Sequence, residues 1–348
     1  MSALTLIRLH PLKFIVSILV SGLFVYLAFR GLEWRTFWDS IISIEWWWIL
    51  AGAVILVLSN VLRAARWGIL LSPQKKISVH ELFQVVMIGY LGNNVLPFKM
   101  GELLRAVVAG RRYRLPVSGT GASIVVERGI DMFSFLVFAG LYGALVPTLD
   151  TARLLSILGL IAIVVLVVLT AWMNRRHDRF FRRLETWAQQ REATGHQRLA
   201  KQVLSLFRGL ETIWRMPHPV SVIMLTVGLW VVYFLVTLAT MLAFRMGLSP
   251  LEYMDASMIL LIFTTLSLAI PAAPGYVGTY HGAAIAALVI FGVNQDQARA
   301  FAVVIHLMNY LLYTPIGGYY LVKLGMNLNL VEEAEQAETP GTGKSGSH

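Results

Sequence analysis

The sequence predicts an all-α, polytopic membrane protein with about six full spans and two re-entrant helical hairpins, arranged as two inverted repeats. Three observations predict it. Of the 348 residues, 57% are hydrophobic and 14% charged, with mean hydropathy +0.67; soluble domains carry roughly 25% charged residues. Apolar runs long enough to cross a bilayer, about 17 to 25 residues, recur along the chain. Two further apolar regions, 80–110 and 255–292, are interrupted by Pro, Gly and polar residues. Cysteine is absent, which excludes disulfides, thiolate metal sites and cysteine nucleophiles.

The elements follow in order. The run 14–29 comes after Arg8 and Lys13 with no small-residue cleavage site behind it, so it reads as an uncleaved signal anchor. Further spans are expected at 46–70, 118–146, 153–173, 219–246 and 299–322. Residues 174–219 carry ten Arg or Lys against four Asp or Glu, which places this loop in the cytoplasm. Its apolar positions recur near helical spacing, as expected of amphipathic helices on the inner leaflet. Counting outward from it, Arg63, Arg66, Lys75, Lys76, Arg111, Arg112 and Arg114 fall inside. The loops near 31–45, 147–152 and 247–254 fall outside, with Trp46, Trp47 and Trp48 as an interfacial belt. The net charge of +10 is thus a topology signal rather than a nucleic-acid footprint. Arg63 and Arg66 are expected to snorkel to the interface.

This scheme closes only if both interrupted regions enter and leave on one side. Residues 100–110 are too short to span, since a helix rises about 1.5 Å per residue through a core of about 30 Å. "NNVLPFKMGELLR" (93–105) therefore reads as the tip of a hairpin entering from the cytoplasm. Asn93, Asn94 and Pro97 stand at its turn, because proline ends a helix and asparagine side chains satisfy freed backbone groups. "LSLAIPAAPGYVGTYHG" (266–282) repeats the logic from the outside. Each tip has a Pro-x-x-x-Gly step: Pro97 to Gly101, Pro271 to Gly275 and Pro274 to Gly278.

The second arm of each hairpin starts deep in the membrane, with its positive dipole end facing the tip. With Lys99, Glu102 and Arg105 beside one of them, the paired tips make an anion site, and irregular backbone at that depth is expected only where it lines a cavity or is buried in protein. The candidate substrate-binding residues are Asn93, Asn94, Lys99, Glu102, Arg105, Glu127, Arg128, Asp131, Pro274, Gly275, Gly278 and His281. Glu127 and Asp131 form an i, i+4 pair. With Arg105 and Glu102 they form either a cavity-facing network able to relay protons or a clamp on the hairpin. His281 and His306 both lie in apolar segments, and an ordinary histidine titrates near neutral pH. Neither has an acid or a second histidine at metal-ligand spacing, so no metal and no cofactor is implied.

"NNVLPFKMGELLR", then "ASIVVERGIDMFSFLV" (122–137), then "PAAPGYVGTYHGAAIAALVIFGV" (271–293) together resemble the lysylphosphatidylglycerol synthase transmembrane-region family (flippase-like domain, UPF0104). The resemblance covers roughly residues 10–325. It implies a membrane domain that flips lipid and does not itself catalyse, so the chain is read as a non-enzyme. The soluble synthase domain of the bifunctional members is not expected here. Many members carry an acid after the second tip, where this chain has His281.

The expected organisation is one flippase-like domain over 1–325, with repeat one at about 10–146 and repeat two at about 153–325. A disordered cytoplasmic tail follows over 326–348. The expected partner is a phospholipid or a polyprenyl-phosphate-type lipid in the cell membrane, with both termini cytoplasmic; a homo-oligomer stays open. "GTGKS" (341–345) lacks the first glycine of a phosphate loop, Glu338 standing in its place. Two alternatives remain: an intramembrane enzyme modifying lipid headgroups, and an accessory scaffold in envelope lipid synthesis.

Overall fold

The computed structural model describes residues 11–96, 100–145, 161, 218–268, 270 and 274–326. These form α1 (Pro11–Phe29), α2 (Trp34–Ile42), α3 (Trp46–Leu71), α4 (Val79–Val95), α5 (Gly101–Tyr113), α6 (Val117–Leu145), α7 (Pro219–Leu242), α8 (Pro250–Ser267), α9 (Thr279–Val289) and α10 (Gln295–Lys323), with a 3-10 turn at Pro274–Tyr276. The all-α membrane class is as the sequence predicts. Among the described residues, α3, α7 and α10 are long and apolar enough to cross a membrane. The expected span 153–173 apart from Ile161, the basic loop up to Pro217, Lys99, and the tail beyond Met326 lie outside the described residues.

The chain divides into two compact units, one of Met1–Gly68, Ile77–Val117 and Val227–His348, the other of Ile69–Lys76 and Ser118–Thr226. In the first, the interrupted regions are helix pairs. The arms α4 and α8 have 17 and 18 residues, and their partners α5 and α9 have 13 and 11. Arms of 13 and 11 residues extend about 20 and 16 Å, well short of a hydrocarbon core of about 30 Å. Both first arms start alike, through a feature the sequence reading passed over. Ser78 and Glu81, then Ser249 and Glu252, form reciprocal capping boxes, Ser-x-x-Glu in each case.

Glycine sets the arm spacing in the first hairpin. A Cβ on Gly101 would stand 1.9 Å from the Gly89 carbonyl oxygen, and one on Gly92 would stand 2.7 Å from Gly101 Cα. The backbones of α4 and α5 thus touch, as small residues permit between membrane helices. On the far side of α4, Gly317 of α10 lies so close that its Cβ would stand 2.4 Å from the Met87 carbonyl oxygen. In the second hairpin Gly278 and Gly282 seat α9 against Ser21 and Phe24 of α1. Leu56 of α3, Met87 of α4, Val236 of α7 and Tyr313 of α10 form a shared apolar core beside these contacts.

Two expectations are corrected. The stretch 31–45, expected as a loop, contains the helix α2. Its Phe37 and Ser40 are buried while Trp34, Trp38 and Ile42 are exposed. Arg63 and Arg66 do not snorkel; both are buried. Arg63 lies one turn from Trp67 on α3 and donates to the Tyr233 hydroxyl at 2.8 Å. A guanidinium enclosed in this way must find its polar partners within the protein.

Gly101→Ala should lower the thermal stability of the detergent-solubilised protein by at least about 1 to 3 kcal/mol, the usual cost of overpacking. Gly129, whose Cβ position is open, should accept Ala without loss. Equal melting temperatures for the two variants would refute backbone contact in the first hairpin.

Candidate functional site

A helix that stops leaves its last carbonyls and the next helix's first N–H groups without intrahelical partners. At the first tip neighbouring side chains supply a partner to one group of each kind. Asn93 Oδ1 accepts from the Gly101 N–H at 3.0 Å, capping α5 across the break. The Asn94 carbonyl accepts from the Tyr310 hydroxyl at 3.4 Å, and the Asn94 amide donates to Thr314 Oγ1 at 3.0 Å.

The second tip turns through Gly275 and Gly278, at φ 70° and 89°, in the left-handed region that glycine enters at least cost. The Gly275 carbonyl accepts from His306 Nε2 at 2.7 Å. The Gly278 N–H donates to His281 Nδ1 at 3.3 Å, and His281 Nε2 and His306 Nδ1 are 3.3 Å apart. Pro274 is half-buried, while Gly275, Gly278 and His281 are buried. Pro271 lies outside the described residues.

One helix therefore holds both tips. His306, Tyr310 and Thr314 stand at i, i+4 and i+8 on α10 and form a single stripe. The first grips tip two and the others grip tip one. Gly275 also meets tip one directly: a Cβ there would lie 3.3 Å from the Tyr310 ring and 3.9 Å from the Asn94 carbonyl oxygen. The junction falls at the middle of this 29-residue helix, which is the midplane if α10 spans. Pro315 follows Thr314 inside the helix and deprives the Leu311 carbonyl of its usual donor.

Of the predicted charges, Arg105 is buried, its guanidinium 3.7 Å from the centre of the Trp67 ring, a cation–π contact. Its side chain crosses Gly89. Glu102 is half-buried in the first turn of α5, where an acid complements the helix dipole. Deeper along α3, Asn60 donates to the Tyr313 hydroxyl at 3.2 Å, and Tyr313 stacks on Tyr90 at 4.4 Å. A band of Arg, Tyr and Asn groups thus continues from the tips toward Arg63.

Glu127, Arg128 and Asp131 belong to the other unit. Glu127 is buried in α6 on a stripe with Thr120, Ser123 and Phe135. Arg128 pairs with Asp131 at 3.5 Å. In the same unit Gln74 donates to the Gly119 carbonyl at 3.1 Å.

Sequence reasoning singled out His281 and both asparagines and expected the span at 299–322, but missed that this helix holds them. The available signal was the four-residue spacing of His306, Tyr310 and Thr314 within an apolar run. It also missed Arg299, buried in α10, which pairs with Asp296 and donates to the carbonyls of Ala28, Arg30 and Gly31 at the end of α1.

Comparison with known proteins identifies the fold's relatives. Residues 14–317 match the family described as the lysylphosphatidylglycerol synthase TM region, and the chain belongs to that family. It is 24% identical over 299 residues to a UPF0104 membrane protein of Methanothermobacter thermautotrophicus, covering 78% of this chain and 83% of the relative. No solved structure matches.

Asn93→Ala should destabilise the protein by about 1 to 3 kcal/mol, because it leaves the Gly101 N–H at the break without its acceptor. Asn93→Asp, which keeps an acceptor oxygen, should recover most of the loss. Thermal unfolding in detergent measures both, and an Ala variant as stable as the Asp variant would contradict the cap.

Proposed function

We propose that this member of the lysylphosphatidylglycerol synthase TM-region family moves an anionic or phosphate-bearing lipid between membrane leaflets. The route runs through the place where the two hairpin tips meet. The observation that carries the reading is the shared grip of α10 on both tips, with His306 on Gly275 and Tyr310 and Thr314 on Asn94. Two broken helices joined at the middle of a spanning helix put polar backbone where hydrocarbon otherwise excludes it, a plan that recurs in transporters. Among the described residues the seam includes hydrogen bonds from His306, Tyr310 and Thr314. Their exchange for bonds to a headgroup is the step that lets a lipid pass.

Arg105 supplies the positive charge. In this reading its stack on Trp67 keeps the guanidinium flat and oriented, so that the two-pronged face suited to phosphate is presented as a unit. Lys99 adds a second cation at the first tip, and Asn93, Asn94, Glu102, Pro274, Gly275, Gly278 and His281 shape the passage. Glu127, Arg128 and Asp131, also read as substrate-binding from the sequence, form a charged group within their own unit. The acyl chains stay in the bilayer throughout. The cargo is a phospholipid or a polyprenyl-phosphate-type carrier, the membrane is the cell membrane, and both termini are cytoplasmic. The capping boxes Ser78–Glu81 and Ser249–Glu252, one at the start of each hairpin, support the inverted repeat.

The test uses the purified protein in vesicles of phosphatidylethanolamine and phosphatidylglycerol that carry a fluorescent phosphatidylglycerol. The wild type should expose inner-leaflet probe to a membrane-impermeant quencher without changing the probe's mass. Arg105→Ala should slow exposure about tenfold, equivalent to one lost charge-assisted bond. Arg105→Lys should fall between, keeping charge without the flat stack. Protein-free rates in the wild type would refute translocation, and a probe of altered mass would point to headgroup chemistry.

A further inference from the structure

At the second tip the hydrogen bonds fix where the protons are. The Gly278 N–H is a donor, so His281 Nδ1 accepts and carries no proton. The Gly275 carbonyl is an acceptor, so His306 Nε2 carries one. Two neutral rings then satisfy the 3.3 Å contact between them in one way, with His281 Nε2–H donating to His306 Nδ1. The result is a directed chain from Gly278 N–H through both imidazoles to Gly275 C=O. Each ring accepts at Nδ1 and donates at Nε2. Such a chain holds no place for a further proton. Added to His281 Nδ1, it faces the Gly278 N–H; added to His306 Nδ1, it faces the His281 Nε2–H. Either way a donor opposes a donor, and a link between the tip, α9 and α10 is broken.

The described residues that face this pair are mostly uncharged. The ring centres are 4.7 Å apart, close enough that two imidazolium ions would repel strongly, so the pair takes one proton rather than two. From its own helix Tyr280 lies over His306 with ring centres 5.3 Å apart. From α1 the facing residues are Ser21, Phe24 and Phe29, none of which titrates in this range. From α10 come Tyr310 and, about two turns toward its start, the mutually paired Asp296 and Arg299. The charged residues of α8, Glu252 and Asp255, sit in its first two turns, at the opposite end from the tip. From α4 the tip meets the Asn94 carbonyl. Among the described residues no group of three His, Cys, Asp or Glu could hold a metal ion.

We infer that the His281–His306 pair is a proton-binding site whose occupation releases the second tip from α10, which couples lipid movement to protonation. The inference rests on the translocation reading above. The step is a proton transfer alone: a hydronium ion gives its proton to one imidazole Nδ1 and leaves as water. The same proton then departs to water on the other side of the cycle. The released hinge is Gly278, whose left-handed backbone and contact with Ser21 mark the start of α9. A proton on His281 also removes the acceptor that caps this helix.

The test uses full-length protein in the same vesicles, with equal pH inside and out, across about pH 3.5 to 8, a range that takes in the ordinary histidine transition and the region well below it. The wild-type translocation rate should change about tenfold or more over that range. His306→Gln and His281→Gln replace a titrating ring with an amide that still donates and accepts; their residual rates should vary less than about twofold. Coupling is overturned if the wild-type profile is flat, or if both variants keep its shape while still moving lipid; translocation then stands. A wild type that moves no lipid at any pH overturns both readings. Because a variant can misfold, 15N resonance of labelled imidazoles in the wild type gives a second readout. Two Nε2–H tautomers at the alkaline end, giving way to one shared added proton, are expected. An Nδ1–H tautomer in either ring, or rings unchanged throughout, overturns the proton site.

Discussion

On the proposed placement of the tips at membrane depth, the structure depends on one constraint: inside hydrocarbon no water is available to a broken helix, so each exposed N–H and C=O must be met by the protein itself. Both hairpins break where their arms turn, and at both the debt is met by side chains at fixed places. Asn93 caps α5 from the preceding arm, and His281 accepts from the Gly278 N–H at the start of its own helix. The open carbonyls of Asn94 and Gly275 are met from α10. A chain that could hide these groups in apolar packing would have no reason to line up His306, Tyr310 and Thr314 on one helix face.

The same constraint accounts for the glycines. Side chains can bridge a break only if the arms lie close, and Gly89, Gly92 and Gly101 bring α4 and α5 into backbone contact. Gly317 does so between α10 and α4, and Gly278 and Gly282 between α9 and α1. The tips are thus supported on tightly packed arms, while the described seam between them is polar and joined by hydrogen bonds. That contrast suits a site that opens. Dense packing fixes where the tips stand, and in the proposed cycle hydrogen bonds, each worth about 1 kcal/mol net, hold them together.

Much of this was legible in the sequence. Pro and Gly interrupting apolar arms too short to cross gave both hairpins, and Asn93 and Asn94 stood out because amides are rare in such runs. Other features were hidden for physical reasons. The short helix α2 was read as a loop because it lies between spans, rich in tryptophan and charge, and its single buried face shows only when Phe37 and Ser40 are placed together. Arg63 and Arg66 looked like interfacial anchors, since a run of sequence does not reveal which neighbours enclose a guanidinium. The role of α10 depends on contacts more than 200 positions away, such as Tyr310 with Asn94, which no local pattern encodes. The partnership of His281 and His306, 25 positions apart, was invisible for the same reason.

The account rests on the two tips touching within the membrane. The chain has no native cysteine, so Val95→Cys and Val277→Cys, exposed positions beside the touching Asn94 and Gly275, can be introduced together. A flexible bis-maleimide spanning about 15 Å covers the contact plus the intervening residues. In membranes the paired variant should form an internal crosslink, visible as an intact closed loop after cleavage between α5 and α7, and neither single variant should do so. Full labelling of both cysteines with no crosslink would place the tips apart and contradict the account.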